Sequence, residues 1–203
     1  MTEHLTYLGS HIKITKEVYE PAEDSYLLID AARKVIDRSD RMLRILEIGT
    51  GSGIISSVMM HQIPEHFYVS TDISPHAVAC TKTNGVPVIR ADMFTGLAGR
   101  FDLIIFNPPY LPTTPEERMD GWLDYAWNGG DDGRMIIDRF LKQAPAFLAD
   151  GGGIMLVVSS LTDIEIVRAR MVSVGFMVRE EASIECPGEK LVVLHGSFSP
   201  DFS

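Results

Sequence analysis

Four consecutive residues, Asn107 to Tyr110, carry the most specific chemical signal in the sequence. They read Asn-Pro-Pro-Tyr and follow residues 101–106, an apolar run typical of a buried parallel strand. Prolines lack N–H donors and lock φ, so the chain must leave the sheet at Asn107 as a short, stiff loop. The side-chain oxygen of Asn107 beside a rigid backbone carbonyl offers two acceptors for one NH2 group, and Tyr110 offers a flat face. This loop suits a planar amide or an aminopurine, although Asn-Pro is also common in ordinary turns.

Acidic residues stand at the ends of the three strands that are predicted before this loop. The predicted strands span residues 42–48, 67–72 and 86–90. In open α/β sheets, ligands bind at the carboxyl ends of the strands, which is where Glu47, Asp72 and Asp92 lie. Asp72 could accept hydrogen bonds from both hydroxyls of a ribose, and Asp92 from the amino group of adenine, with Met93 against the base. Each acid alone is ordinary in a helix cap or a loop, but the set indicates a nucleoside site.

A glycine-rich stretch over residues 49–53 directly follows the first predicted strand, and a helix is predicted from there to about residue 62. Glycines let the backbone turn sharply and approach a ligand closely. The spacing is Gly-x-Gly-x-Gly, whereas the dinucleotide fingerprint needs a further glycine where this chain has Ile54. A carboxylate at Glu47 disfavours a pyrophosphate nearby and suits a cationic ligand. A nicotinamide-dependent dehydrogenase is therefore disfavoured.

The order of the predicted elements indicates the fold class. Strands alternate with helices, and two further strands flank a turn at Pro187-Gly188. We expect an α/β, Rossmann-like fold with a seven-stranded, mostly parallel sheet, one antiparallel strand, and helices on both faces. A single domain is expected over residues 1–203, with a helical lead-in over residues 1–40. The proline at position 87 suggests that the third strand lies at a sheet edge.

The segment after the Asn-Pro-Pro-Tyr loop, residues 111–133, is long and rich in Pro, Gly, Asp and Trp. Loops of this length in a compact domain are usually functional, so we interpret it as a substrate loop. Its aromatic residues would either line a substrate entrance or pin the loop to the core; they are Trp122, Tyr125 and Trp127. A helix is predicted over residues 134–148, ended by glycines 151–153, and a fifth strand over residues 154–158.

The composition is that of a globular protein with an excess of acids. The apolar fraction is 45%, the charged fraction 23% and the formal net charge −10. No basic stripe is evident, which disfavours tight, non-specific nucleic-acid binding by this chain and is compatible with a basic protein partner. No apolar run is long enough to cross a bilayer, and no signal peptide is visible. Cys80 and Cys186 have neither zinc nor disulfide spacing, so we expect no metal site, free thiols and a cytoplasmic protein.

Together, these residues resemble the class I S-adenosylmethionine-dependent methyltransferases over nearly the whole chain. The resemblance is carried by residues 47–53, Asp72, Asp92 and residues 107–110. Two further motifs narrow the resemblance to the HemK-like protein-(glutamine-N5) methyltransferases. They are Glu-Pro-Ala-Glu-Asp at residues 20–24 and Trp-Asn-Gly-Gly-Asp-Asp-Gly at residues 127–133. The short archaeal and eukaryotic branch is the more similar, since little more than a helix is predicted before the first strand. That branch methylates the glutamine in the Gly-Gly-Gln loop of class I peptide release factors.

The resemblance implies S-adenosylmethionine as the cofactor and gives each site residue a role. The cofactor would be bound by Ser25, Glu47, Gly49, Thr50, Gly51, Asp72, Asp92, Met93 and Asn107. The substrate would be bound by Asn107, Pro108, Pro109 and Tyr110. Of these, Asn107 and the carbonyl of Pro108 would accept the two N–H bonds of the substrate amide, and Tyr110 would pack on its flat face. No strong general base is obvious in the sequence.

The resemblance also implies a small, zinc-binding activator protein as a heterodimer partner, which would hold the metal itself. Residues 87–89 are a candidate surface for it, although a buried strand has the same apolar pattern.

Three alternatives stay open. The same loop fits an exocyclic amine of DNA or RNA, such as adenine N6 or guanine N2, although the acidic charge disfavours this substrate. Methylation of a protein lysine is the second, but a lysine needs deprotonation rather than the gripping of two amide hydrogens. A non-catalytic, methyltransferase-like subunit is the third, and it would have no need for an intact loop and intact acids.

Overall fold

A seven-stranded sheet forms the centre of the computed structural model, which describes residues 3–118 and 120–198. The strands are β1 (Glu3–Tyr7), β2 (Ser10–Ile14), β3 (Arg44–Ile48), β4 (Phe67–Asp72), β5 (Val88–Arg90), β6 (Phe101–Phe106), β7 (Leu148–Ser159), β8 (Phe176–Cys186) and β9 (Glu189–Phe198). The sheet has the order β5-β4-β3-β6-β7-β9-β8. Within it, β9 alone runs in the opposite direction to the other six strands. The predicted sheet is confirmed, as is the edge position of β5.

Helices pack on both faces of this sheet, as predicted. They are α1 (Glu23–Ile36), α2 (Ile54–Gln62), α3 (Pro75–Thr83), α4 (Asp124–Trp127), α5 (Met135–Gln143) and α6 (Ile164–Ser173). Side chains of α1 and α2 form one core with one face of the sheet, and side chains of α5 and α6 form a second core with the other face. Because successive strand residues point to opposite faces, Ile105 joins the first core, and Ile104 and Phe106 join the second.

The central strand β6 explains why the Asn-Pro-Pro-Tyr loop is held firmly. It pairs with β3 on one side and β7 on the other, and its last four residues are buried. Burial on both faces is typical of a strand in the middle of a parallel sheet and requires an apolar sequence. The two prolines after Asn107 end the pairing, so the loop leaves the sheet at its carboxyl edge, between β3 and β7.

The lead-in over residues 1–40 is not helical throughout, because β1 and β2 form an antiparallel hairpin before α1. Leu8 and Gly9 have φ of 46° and 80° at the turn, as expected when two residues connect the strands. Ile12 and Ile14 point inward to the core that contains α1 and α2, while the alternating residues His11 and Lys13 are exposed. This period-2 pattern was present in the sequence, but the run is short.

The second difference concerns the glycine triplet. We expected Gly151 to Gly153 to separate the helix from the fifth strand, but β7 already begins at Leu148 and includes them. The helix α5 correspondingly ends at Gln143, and a 3-10 turn covers residues 144–147. A Cβ on Gly153 would lie 2.8 Å from the carbonyl oxygen of Gly196. A Cβ on Gly152 would lie 3.0 Å from the carbonyl oxygen of Phe101 on β6, where the pairing of β6 with β7 is irregular. Gly152 and Gly153 therefore permit close approach of the strands on either side of β7.

No helix within residues 3–118 and 120–198 is long and apolar enough to span a membrane.

Candidate active site

A cavity of about 410 Å³ opens at the carboxyl ends of β3, β4, β5 and β6. The strands in this half of the sheet are parallel, so their carboxyl ends meet at one edge. All twelve residues that were predicted from the sequence line the cavity: Ser25, Glu47, Gly49, Thr50, Gly51, Asp72, Asp92, Met93, Asn107, Pro108, Pro109 and Tyr110. The structure therefore brings every predicted position to one place.

The glycine loop after β3 adopts a conformation that strongly favours glycine. Gly49, Gly51 and Gly53 have φ of 63°, 58° and 82°. A Cβ at Gly49 would also lie 3.0 Å from the ring of Phe106, and one at Gly53 would lie 3.0 Å from the Thr81 methyl group. Positive φ favours glycine at all three positions, and the close neighbours leave little room for a side chain at Gly49 and Gly53.

Asp72 holds the glycine loop in place from the end of β4. One carboxylate oxygen accepts a hydrogen bond from the Gly51 N–H at 2.9 Å, and the other accepts one from the Ser74 N–H at 2.8 Å. Burial raises the pKa of Asp72, while these backbone hydrogen bonds act in the opposite direction. Each oxygen of an ionised carboxylate can accept a further hydrogen bond, so Asp72 can still serve a ligand in the cavity.

Glu47 is the most deeply buried acid of the cavity wall. Its side chain accepts hydrogen bonds from the backbone N–H of Ser56, at 3.0 Å, and from the Ser56 hydroxyl. Burial raises the pKa of Glu47 to about 7, although the Ser56 hydrogen bonds oppose this effect. A carboxylate in such a position gains from a cation placed nearby.

Asp92 has a partner that the sequence did not indicate. The Nη2 atom of Arg139, which is on α5, donates a hydrogen bond of 2.5 Å to Asp92, and both side chains are partly exposed. Arg139 also lines the cavity. The neighbouring Met93 has a φ of 51° and is buried. A ligand at this end of the cavity would therefore meet an ion pair rather than a lone carboxylate.

Asn107 presents an unused acceptor to the cavity. Its Oδ1 atom is buried, yet it accepts no hydrogen bond from any residue that the structure describes. Buried polar groups nearly always have a partner, so an unsatisfied one in a cavity wall indicates a position for a ligand donor. Tyr110 lies two residues beyond Pro108, and burial and the negative charges of Asp24 and Glu189 raise its pKa.

The segment over residues 111–133 returns to brace the loop. The Leu111 N–H donates to the carbonyl of Trp127 at 3.0 Å, and the Gly129 N–H donates to the carbonyl of Leu111 at 2.9 Å. Gly133 has a φ of 71°, and a Cβ there would collide with the carbonyl oxygen of Tyr110. The glycines of this motif thus let the returning chain lie directly against the loop, a role that sequence reasoning missed.

The aromatic residues of the same segment lie at the cavity, as one of the two interpretations expected. Trp122, Tyr125 and Trp127 all line it. The rings of Trp122 and Tyr125 are 5.2 Å apart, and the guanidinium of Arg90 lies 5.8 Å from the Trp122 ring. This geometry is within the range of a cation–π contact and joins the segment to the end of β5.

The residues of the cavity wall that were not predicted as site residues include Glu17, Tyr19, Asp24 and Glu189. Asp24 is buried and accepts hydrogen bonds from the Ser25 N–H at 2.5 Å, the Ser25 hydroxyl at 3.1 Å and the Tyr19 hydroxyl at 3.1 Å. Asp24 belongs to the Glu-Pro-Ala-Glu-Asp motif at residues 20–24, whereas no motif in the sequence includes Glu189. Within the described residues, no group of three or more His, Cys, Asp and Glu side chains could hold a metal ion.

Comparisons with known proteins identify the family of this chain. Residues 24–119 match the family described as methyltransferase small domain. A Methanocaldococcus jannaschii protein named for protein N5-glutamine methyltransferase activity is 38% identical over 193 residues, which cover 92% of this chain and 95% of that protein. The chain belongs to the family of protein N5-glutamine methyltransferases. Human methyltransferase HEMK2 is 36% identical over 190 residues, a match that covers 88% of this chain and 88% of that protein.

A solved structure from the same family has a similar architecture. The structure of the E. cuniculi Mtq2–Trm112 complex is described as responsible for the methylation of the translation termination factor eRF1. It matches 90% of this chain and 99% of its own, with a TM-score of 0.72 and 29% identity. The fold and the family that the sequence predicted are confirmed, whereas the roles of individual site residues stay predictions.

The raised pKa of Glu47 predicts how stability depends on pH. Between about pH 4.5 and about pH 7, Glu47 is protonated in the folded chain and ionised in the unfolded chain. Unfolding then releases a proton, so this residue lowers the free energy of unfolding by up to about 1.4 kcal/mol per pH unit as pH rises, and no further above that range. Urea unfolding at a series of pH values should show a steeper decline for the unsubstituted chain than for Glu47→Gln. Parallel curves would contradict the assignment.

Proposed function

We propose that this chain transfers a methyl group from S-adenosylmethionine to the side-chain amide nitrogen, N5, of a glutamine. The glutamine would be that of the Gly-Gly-Gln loop in a class I peptide release factor. The observation that carries the proposal is the Oδ1 atom of Asn107, a buried acceptor in the cavity wall with no partner among the described residues. Family membership and the eRF1 methylation described for the E. cuniculi complex support it.

The residues of the cavity fit a cofactor that carries a positive charge. Glu47 and Asp72 are buried acids, and the glycine loop between them leaves backbone exposed for the amino-acid portion. Asp72 would accept the ribose hydroxyls, Asp92 and Met93 would contact the adenine, and Ser25 would bind at the other end. When bound, S-adenosylmethionine supplies a methyl group on a sulfonium, which makes the methyl carbon electrophilic.

The substrate amide needs orientation more than activation by a base. An amide nitrogen is a poor nucleophile because its electron pair is delocalised into the carbonyl. Asn107 Oδ1 and the Pro108 carbonyl would accept its two N–H bonds and aim the nitrogen at the methyl carbon, while Tyr110 packs against the flat amide group. Such positioning can supply several kcal/mol, on the order of half the barrier reduction of a typical enzyme.

A methyl-transfer assay with radiolabelled cofactor tests this function. The chain, with and without a candidate small zinc-binding partner, would be incubated with a release factor carrying Gly-Gly-Gln or Gly-Gly-Ala. We expect label on the Gly-Gly-Gln factor only. Label on nucleic acid, or on the Gly-Gly-Ala factor, would contradict a glutamine substrate and favour a nucleobase amine or a lysine.

Two substitutions should separate the substrate site from the cofactor site. Asn107→Ala removes an acceptor of the substrate amide, so we expect methyl transfer to fall at least about a hundredfold with little change in cofactor affinity. Asp72→Ala removes the support of the glycine loop, so cofactor affinity itself should fall about tenfold or more. Calorimetry and the labelled assay, applied to both variants, give the comparison. Near-normal turnover by the Asn107 variant would refute its role.

We further propose that a small zinc-binding activator binds this chain as a heterodimer at the exposed edge strand β5. The Trm112 subunit in the E. cuniculi complex supports such a partner. β5 lies at the edge of the sheet and Ile89 is 46% exposed, which leaves both backbone groups and an apolar side chain for another protein. We place the complex in the cytoplasm, where the free thiols of Cys80 and Cys186 are stable.

The opposite sheet edge provides a matched control for the partner surface. Ile89→Lys should weaken binding of the activator at least about tenfold, because it places a charge in an apolar contact. Met177→Lys alters a residue that is 56% exposed on β8, the other edge strand, and should leave binding unchanged. Copurification and calorimetry with the candidate activator measure both. Equal loss in the two variants, or loss in the Met177 variant alone, would exclude β5 as the binding edge.

A further inference from the structure

Methylation of an amide nitrogen releases a proton, which some group must accept; this inference rests on the function proposed above. As the nitrogen gains a methyl group it acquires positive charge, and one of its two hydrogens must leave before a neutral amide is restored. The two atoms expected to hold these hydrogens, Asn107 Oδ1 and the Pro108 carbonyl oxygen, are neutral acceptors. Neither of them can keep a proton near neutral pH.

Besides Glu189, five carboxylates line the cavity. One of them, Glu17, lies beside Gly121 in the segment over residues 111–133. The other four already serve other groups. Glu47 accepts hydrogen bonds from Ser56 through Oε2, while its Oε1 is buried with no hydrogen-bond partner among the described residues. Asp72 accepts hydrogen bonds from the Gly51 and Ser74 N–H groups. Asp92 is paired with Arg139, and both oxygens of Asp24 accept hydrogen bonds from Tyr19 or Ser25. The first three also stand at the ends of β3, β4 and β5, on the half of the sheet that fits the cofactor.

Glu189 stands on the other side of the Asn-Pro-Pro-Tyr loop. It is the first residue of β9, which pairs with β7, and β7 is the neighbour of β6 away from the cofactor half. Among the described residues that line the cavity, it is the only one that follows Arg139 in the chain. The long connection through β7, α6 and β8 thus returns a single carboxylate to the substrate end.

Local contacts orient this carboxylate and leave part of it free. The hydroxyl of Ser159, at the carboxyl end of β7, donates a hydrogen bond to Oε2 of Glu189. The Oε1 atom accepts no hydrogen bond from the residues that the structure describes, and the side chain is half-buried. The negative charge of Glu189 also acts on the Tyr110 and Tyr19 hydroxyls and helps raise their pKa, after burial and Asp24. Glu189 is therefore close to the loop that would hold the substrate.

We infer that Glu189 is a further catalytic residue, which stabilises the positive charge on the substrate nitrogen and accepts its proton. The nitrogen uses its electron pair to form the new N–C bond, the C–S bond breaks, and the electron pair of that bond stays on sulfur. One of the two hydrogens then leaves its neutral acceptor and passes to Glu189 as a proton, and the nitrogen recovers its electron pair. Because Glu189 is half-exposed, it can pass the proton to water and regain its charge.

The affinity of two cofactor analogues tests this inference without any turnover. S-adenosylhomocysteine lacks the transferred methyl and is neutral at sulfur, whereas sinefungin carries a protonated amine where the methyl would be. That amine points toward the substrate nitrogen position, so a carboxylate there should favour sinefungin. We expect calorimetry to show that Glu189→Gln weakens sinefungin binding about tenfold while the affinity for S-adenosylhomocysteine changes less than about twofold.

Glu185 provides the matched control. It is an exposed acid of the same hairpin, on β8, and it is not among the residues that line the cavity. Glu185→Gln should leave both affinities unchanged, which excludes a general effect of net charge. Equal weakening of both analogues by Glu189→Gln, or no change in either, would overturn the assignment while leaving the proposed function intact. If the unsubstituted chain bound neither analogue, the proposed function would fail, and the assignment with it.

Discussion

The structure depends on the abrupt end of its most buried strand. β6 runs through the middle of the sheet, and the two prolines after Asn107 prevent any further pairing at the carboxyl edge. The loop is then fixed between the sheet on one side and the glycine motif that contains Gly133 on the other. An unpartnered buried acceptor such as Asn107 Oδ1 costs about 1–3 kcal/mol. The rigid framework holds the acceptor in this position despite that cost, so the acceptor is already oriented before the substrate binds.

In the proposed reaction, a positive charge would move across the same cavity, from the cofactor to the substrate nitrogen. The buried acids Glu47 and Asp72 lie on the cofactor half of the sheet, where a sulfonium and an ammonium group would be stabilised. Glu189 lies on the other side of the loop, where the charge would arrive once the methyl has moved. Neutral acceptors between them fit an amide better than a lysine, whose charge has to be removed before it can attack.

Much of the site could be predicted because its signals are local. Glu47, Asp72 and Asn107 each follow an apolar run, and the parallel arrangement of strands then brings their positions together without further information. The hairpin before α1 was missed because two five-residue strands give a weak pattern beside the stronger helical one. The glycines 151–153 suggested a break, but the neighbouring backbones at Phe101 and Gly196 are what require Gly152 and Gly153.

The residues that could not be predicted owe their places to distant parts of the chain. Arg139 meets Asp92 only because α5 packs against the residues after β5, where the rings of Phe140 and Phe94 stack. Glu189 reaches the cavity only through the order β6-β7-β9. Neither has a neighbour in sequence that suggests a ligand. Tyr19 was adjacent to a quoted motif, yet its hydrogen bond to Asp24 follows from the turn that leads into α1. Contacts of this kind depend on tertiary packing, which periodicity and turn residues do not encode.

The most direct test of the central claim is a crystal structure of this chain with S-adenosylhomocysteine and a peptide that contains Gly-Gly-Gln. If Asn107 and Pro108 hold the substrate amide as proposed, the glutamine amide nitrogen will lie within about 3.2 Å of both Asn107 Oδ1 and the Pro108 carbonyl oxygen. The nitrogen will also face the sulfur of the cofactor product. A glutamine side chain bound elsewhere, with Asn107 Oδ1 facing water or the cofactor alone, would contradict this proposal.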